Sequence, residues 1–164
     1  TLEFNQIASV ITDHGNAYTI PDHFKEAKKQ GQHAIAGVEL YTVKDHTLKG
    51  KDEGETENGA KRNHFLLLAK NKTGYQKMCR ILSKGYTEGF YYVPRIDRKV
   101  IQEFKEDIIV LSGNLYGEIP NKILNIGENQ AEEALIWWKE QFGSDFYLEL
   151  MRHKQEDENR VNQT

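Results

Sequence analysis

Ile7-Ala8-Ser9-Val10-Ile11-Thr12-Asp13-His14-Gly15-Asn16 is the stretch from which the fold is read. Residues 7–11 form a short, mostly apolar run, the signature of a buried strand. The chain then switches to an acid, an imidazole, a glycine and an amide. Gly15 permits a sharp backbone turn, and Asn16 tolerates unusual dihedrals. A strand that delivers Asp13 and His14 at its carboxyl end matches where parallel α/β proteins place their chemistry. A strand-end histidine standing alone is as readily a satisfied core residue, so the later strands decide.

Working outward, Pro21 suits the first turn of a helix that Phe24, Ala27 and Lys28 continue to a break at Gly31. Residues 34–43 follow as a strand rich in β-formers, with Glu39 inside it. A carboxylate there is costly unless a cation or hydrogen bonds compensate it. The alternative is that simple alternation puts Glu39 on a solvated face. Residues 44–63 are polar and acidic, with nothing apolar after Leu48, and are expected to form a mobile surface loop that carries His46 as solvated decoration.

Residues 64–69 read as a fully buried strand that starts with His64. Tyr75, Met78, Cys79, Leu82 and Tyr86 then share one face of a helix, which makes Cys79 a core residue rather than a nucleophile. Residues 85–97 form a loop with Tyr86, Phe90, Tyr91, Tyr92 and Arg95. Interleaved aromatics and arginine suit bases and phosphate, although packing of a long loop onto the sheet is the simpler explanation. Residues 107–111 are another strand, leaving through Ser112-Gly113-Asn114. Asn129 and Glu132 have the spacing of a capping box that opens a helix through Trp138 to Phe142. Residues 146–150 are the last strand, which hands over to Met151-Arg152-His153, and residues 157–164 open a further helix.

A chain of 164 residues with 38% hydrophobic and 29% charged side chains fits a single globular domain. The net charge of -3 excludes a uniformly basic clamp, so any nucleic-acid contact is local. One cysteine, Cys79, rules out an internal disulfide and fits a reducing cytoplasm. No apolar run approaches the roughly 20 residues of a membrane helix, and the first residues lack the pattern of a signal peptide. Neither a membrane partner nor export is expected.

Strands alternating with helices imply parallel βαβ units, as an open sheet or an incomplete (β/α) barrel. A doubly wound dinucleotide or P-loop fold is disfavoured, because neither glycine fingerprint is present. The polar residues at strand ends and inside strands are Asp13, His14, Glu39, His64, Asn114 and His153. Imidazole and carboxylate groups arriving from successive strands suit zinc, manganese or iron. A glutamate can bridge two ions, and such ions activate water against a phosphodiester.

The wording of three of these strands is more specific. Residues 11–16 (ITDHGN), 36–41 (AGVELY) and 64–71 (HFLLLAKN) strongly resemble the polymerase and histidinol phosphatase (PHP) family. The words EGFYY at 88–92, PRID at 94–97, LSG at 111–113, GEIP at 117–120 and FYLEL at 146–150 resemble its polymerase branch, the amino-terminal domain of bacterial replicative DNA polymerase III alpha subunits. The resemblance covers essentially the whole chain.

That resemblance implies a distorted (β/α)7 barrel, similar to a TIM barrel, with a metal cluster at the carboxyl ends of its strands. It implies a metal-dependent 3'-5' exonuclease or phosphoesterase within a replicative polymerase, with DNA and other replicase subunits as partners. Carried over by position, His14, Glu39 and His64 match metal ligands, with Glu39 in the bridging place and Asp13 beside it in an orienting or catalytic role. Asn114 stands where many relatives have a cysteine ligand. His153 matches a position near the site, and Arg95 and Arg152 are candidate holders of phosphate. The family's opening His-x-His and closing Asp-x-His have no counterpart between Thr1 and Thr164. The chain is therefore expected to be one PHP domain over 1–164 that is incomplete at both ends and inactive alone. The alternatives are a catalytically silent scaffold of the polymerase and a free-standing phosphoesterase.

Overall fold

The computed structural model describes residues 4–49 and 62–164. The first strand, β1 (Ala8–His14), ends where its sequence turns polar. Gly15 follows with φ +72°, and its N–H donates to the Glu39 carbonyl at 2.8 Å. That backbone angle favours glycine, which explains its place after His14. The helix α1 (Ile20–Lys29) has Pro21 in its first turn, Asp22 beside it, and Lys28 and Lys29 in its last turn, all of which suit a helix dipole. It returns the chain to β2 (His33–Thr42), which pairs with β1 in parallel.

From there the sheet departs from an all-parallel expectation. The strand β3 (Asn63–Ala69) runs antiparallel to β2, and β5 (Ile108–Leu111) runs antiparallel to β3. Runs of buried apolar residues look alike in either direction. Between β3 and β5 stand α2 (Lys72–Thr87), a two-residue β4 (Arg95–Ile96) and α3 (Arg98–Glu103). After β5 come α4 (Glu118–Asn125), α5 (Glu128–Phe142), a 3₁₀ turn, β6 (Phe146–Tyr147) and α6 (Glu156–Gln163). The sheet order is β1-β2-β3-β5-β6, and β4 pairs with β2 at Tyr41 and Thr42, just past the end of β1. Among the described residues this is a mixed α/β fold with one six-stranded, unclosed sheet and six α-helices.

Register assigns the faces. Val38 lies opposite Leu67, Leu40 opposite Phe65, and Leu67 opposite Val110, so these share one face. All are buried with Met78 and Ile81 of α2, Val100 and Ile101 of α3, Ile119 and Ile123 of α4, and Ala134 and Trp138 of α5. The helices thus cover one face, where burial at about 25 cal/mol per Å² supplies the main driving force. The other face carries Glu39, Tyr41, His64 and Leu66.

Several local expectations are corrected. The Asn129–Glu132 capping box does not form, because α5 starts at Glu128 with Gly127 as its cap. The last strand is Phe146–Tyr147 rather than 146–150; the Glu149 N–H instead donates to the Ser112 hydroxyl. Residues 64–69 are not fully buried, since His64, Leu66 and Leu68 face the half-exposed side. Tyr86 stays 42% exposed and Cys79 is half-buried, while Ile81 is a buried apolar side chain of α2 that the pattern omitted. His46 is buried, not solvated: its Nδ1 donates to Asp97 at 2.7 Å. The mobility expected of 44–63 falls largely on residues 50–61, outside the described residues.

Candidate metal centre

Three predicted ligands meet. His14 at the end of β1 lies in register with Glu39 of β2, and Tyr41, two residues on, lies in register with His64 of β3. Cross-strand partners and i, i+2 neighbours share a face, so backbone pairing alone brings these four side chains together. His14 Nδ1 is 2.8 Å from Glu39 Oε2, and His64 Nδ1 is 2.9 Å from Glu39 Oε1. Because the carboxylate only accepts, both nitrogens donate. The Tyr41 hydroxyl meets the other nitrogen of His14 and so holds its tautomer and ring angle. Asn114, on the loop after β5, points its amide at Glu39 Oε1 from 3.5 Å.

The electrostatics follow from this crowding. Burial by itself raises the Glu39 carboxyl, but the hydrogen bonds from His14 and His64 outweigh it and hold the group below the ordinary glutamate range. Glu149, unassigned from sequence, behaves in the opposite way. Burial raises its carboxyl, the charge of Glu39 raises it further, and one hydrogen bond from the Gly113 backbone opposes both. Its Oε2 is buried without a hydrogen-bond partner among the described residues.

One nitrogen each of His14 and His64 and one oxygen of Glu39 all lie within 4.8 Å of one another. Ligands about 2.1 Å from a tetrahedral ion stand about 3.4 Å apart. A small outward shift of the present 2.8 and 2.9 Å contacts therefore admits an ion, and the imidazole–carboxylate donor set suits zinc, manganese or iron. The residues present fit a divalent metal.

The other named residues stand elsewhere. Asp13 is turned to the start of α1, where its carboxylate takes the Thr19 N–H at 2.8 Å and the Thr19 hydroxyl at 2.5 Å. His153 pairs with buried Glu158 through Nδ1 at 2.7 Å and does not join the three ligands. Arg152 is exposed. Arg95 is 0% exposed and donates to the carbonyls of Gly89 and Leu48, at 3.0 and 2.8 Å. Its guanidinium ties two loops together and is out of reach of any phosphate in solvent, which corrects its reading as a phosphate holder.

A second group, Asp45, His46 and Asp97, also has ligand atoms within 4.8 Å. Its carboxylates are already engaged. Asp45 Oδ1 takes the Thr47 N–H and hydroxyl, and Asp97 caps α3 through Lys99 and Val100 N–H. Sequence reasoning missed it because His46 and Asp97 lie 51 residues apart, and only the β4 pairing joins them.

Comparison with known proteins identifies the family. The PHP domain family model matches residues 1–153, and the chain belongs to that family. Its relatives include the DNA polymerase III subunit alpha of Borreliella burgdorferi, 40% identical over 153 residues, 93% of this chain and 13% of the relative. The protein of the same name from Chlamydia muridarum is 36% identical, over 96% of this chain and 12% of its own length. That of Thermus aquaticus is 37% identical, over 95% and 13%. The chain thus spans about an eighth of the length of these relatives. No described helix is long and apolar enough to cross a membrane.

Proposed function

We propose that this chain is the amino-terminal PHP domain of a bacterial replicative DNA polymerase alpha subunit and that its His14–Glu39–His64 cluster holds divalent metal for phosphodiester hydrolysis at a DNA 3' end. The observation that carries this is the convergence of two imidazoles on one carboxylate from three paired strands. Relatives named as polymerase subunits, matched over more than nine-tenths of the chain, support the polymerase setting. Helices packed on one sheet face, with the cluster on the other, are the arrangement of a barrel wall; the sheet is read as part of a distorted (β/α)7 barrel.

When bound, the metal, zinc or manganese, supplies a Lewis acid that lowers the pKa of water. Glu39 bridges both imidazoles and so sets the spacing of the ligands. Tyr41 fixes the His14 ring, and Asn114 offers a neutral amide oxygen once its side chain turns. Asp13 braces the turn after His14 by fastening it to Thr19. DNA and other replicase subunits are the partners this setting implies, in the cytoplasm.

The test is release of nucleotides from the 3' end of a single-stranded primer, in manganese or zinc, by the polymerase subunit that carries this domain. Loss of release in Glu39→Gln with polymerase activity intact supports hydrolysis here. No metal-dependent release from the unaltered subunit hands the case to a silent scaffold.

A further inference from the structure

We infer that Arg62 and the cavity beside it form the nucleotide pocket of the metal cluster: Arg62 holds the phosphate, and the exposed ring of Tyr116 carries the terminal base. The inference rests on the hydrolytic function proposed above. The Arg62 guanidinium carbon lies 5.5 Å from the centre of the Tyr41 ring. That ring is 4.8 Å from the His14 ring and 5.0 Å from the His64 ring. The guanidinium is therefore one aromatic layer away from the ligands, within the reach of a flexible arginine.

Other arginines near the sheet are committed. Arg95 is buried, and Arg98 is paired with Glu118 at 2.6 Å. Among the described residues Arg62 makes no ion pair with a carboxylate. An anionic substrate at a cluster containing Glu39, with Glu149 close by, needs a cation to offset their charge. A guanidinium fork meets a phosphate with two parallel hydrogen bonds.

The adjoining cavity is about 810 Å³; Arg62, Asn114, Tyr116 and Arg160 line it together with two carboxylates, Asp157 and Glu158, of which Glu158 is already engaged by His153. That volume lies in the range of pockets that enclose a small molecule. The cavity and the cluster share a wall. Asn114 lines the cavity and reaches Glu39, and the Tyr116 ring lines it while standing 5.6 Å from the His64 ring. Tyr116 is 68% exposed, yet its carbonyl is held by the His64 N–H at 2.9 Å. An exposed aromatic on a fixed backbone, next to two arginines and several side-chain amides, is the chemistry of a stacked base with its phosphate.

The experiment titrates the metal-loaded chain with two probes, inorganic phosphate and thymidine 5'-monophosphate, following heat of binding. The proteins are the unaltered chain, Arg62→Ala, Arg62→Lys and Tyr116→Ala, each checked for bound metal and thermal melting. Arg62→Ala is expected to weaken both probes about tenfold or more, and Arg62→Lys to recover part of that loss. Tyr116→Ala is expected to weaken only the nucleotide, also by about tenfold. Metal content stays equal throughout. Equal affinity of Arg62→Ala and the unaltered chain for both probes, with metal bound in each, overturns the pocket while leaving the metal centre standing. Absence of metal from the unaltered chain overturns the proposed function and the pocket with it.

Discussion

Glu39 Oε2 lies 2.8 Å from His14 Nδ1, although 25 residues separate them. The contact exists because β1 and β2 pair in parallel with these two residues opposite each other. A one-residue slip of register would carry His14 to the helix-covered face. The His14 side chain is 52% exposed, so the pair adds little to stability. Its effect is positional, since it aims both groups at one point beside His64.

Metal binding is expected to depend on that point. Glu39→Gln and His64→Ala should each lower zinc or manganese affinity by at least about tenfold, the usual loss when a ligand or its immediate support is removed. Elemental analysis after dialysis against a weak competing chelator reads this directly. Unchanged metal content in both variants would remove the centre from consideration.

The acid stability of the metal-free chain should carry the signature of Glu39. Its folded-state pKa is lowered, so its contribution is present above the unfolded value of about 4.3 and is lost as the pH falls through the folded value. Thermal melts from pH 7 to pH 3 should show the unaltered chain losing stability more steeply than Glu39→Gln below about pH 4.3. Parallel curves would show that His14 and His64 do not stabilise the carboxylate.

Glu149 predicts the opposite sign. Its pKa is raised by burial and by Glu39, so its charge costs stability once the pH rises above the unfolded value near 4.3. Glu149→Gln should stabilise the metal-free chain at pH 7 by on the order of 1 kcal/mol, the scale of an unsatisfied buried acceptor. That corresponds to a melting temperature about 2–4 °C higher. The gain should vanish near pH 4. A loss of stability at pH 7 would mean that the ionised carboxylate is compensated by a partner.

Arg95 should prove structural. Its guanidinium reaches the carbonyls of Gly89, Leu48 and, at 3.5 Å, His46. Removing it leaves buried acceptors unpaired, so Arg95→Ala should cost about 3 kcal/mol or more in urea denaturation. Metal content of the folded fraction should be unchanged. A cost below about 1 kcal/mol would show that the loops are held by other means.

Much of the candidate site was legible from residue types placed at strand ends. His14, Glu39, His64 and Asn114 were named on that basis and through family resemblance, and the structure brings them together. Tyr41 was overlooked because a tyrosine in a strand is an ordinary β-former. Only its register opposite His64 shows that it faces the ligands. Asp13 followed the same sequence logic as His14, yet alternation along β1 turns it to the other side, where Thr19 takes it. His46 reads as solvated in the sequence and Arg95 as a holder of phosphate. Their burial comes from β4 docking beside β2, a pairing between segments with no shared sequence signal.

What the sequence determined by itself was local: the strand and helix cores of β1, α1, β2, β3, α2, β5 and α5, and the family. These follow from hydrophobic periodicity, turn residues and short words, all of which act between near neighbours along the chain. The tertiary structure alone decided strand direction, the two antiparallel pairings around β3, and which polar residues point at the cluster and which are consumed as braces. Those outcomes depend on register between segments tens of residues apart, where a shift of one residue reverses every side chain while leaving the local pattern untouched.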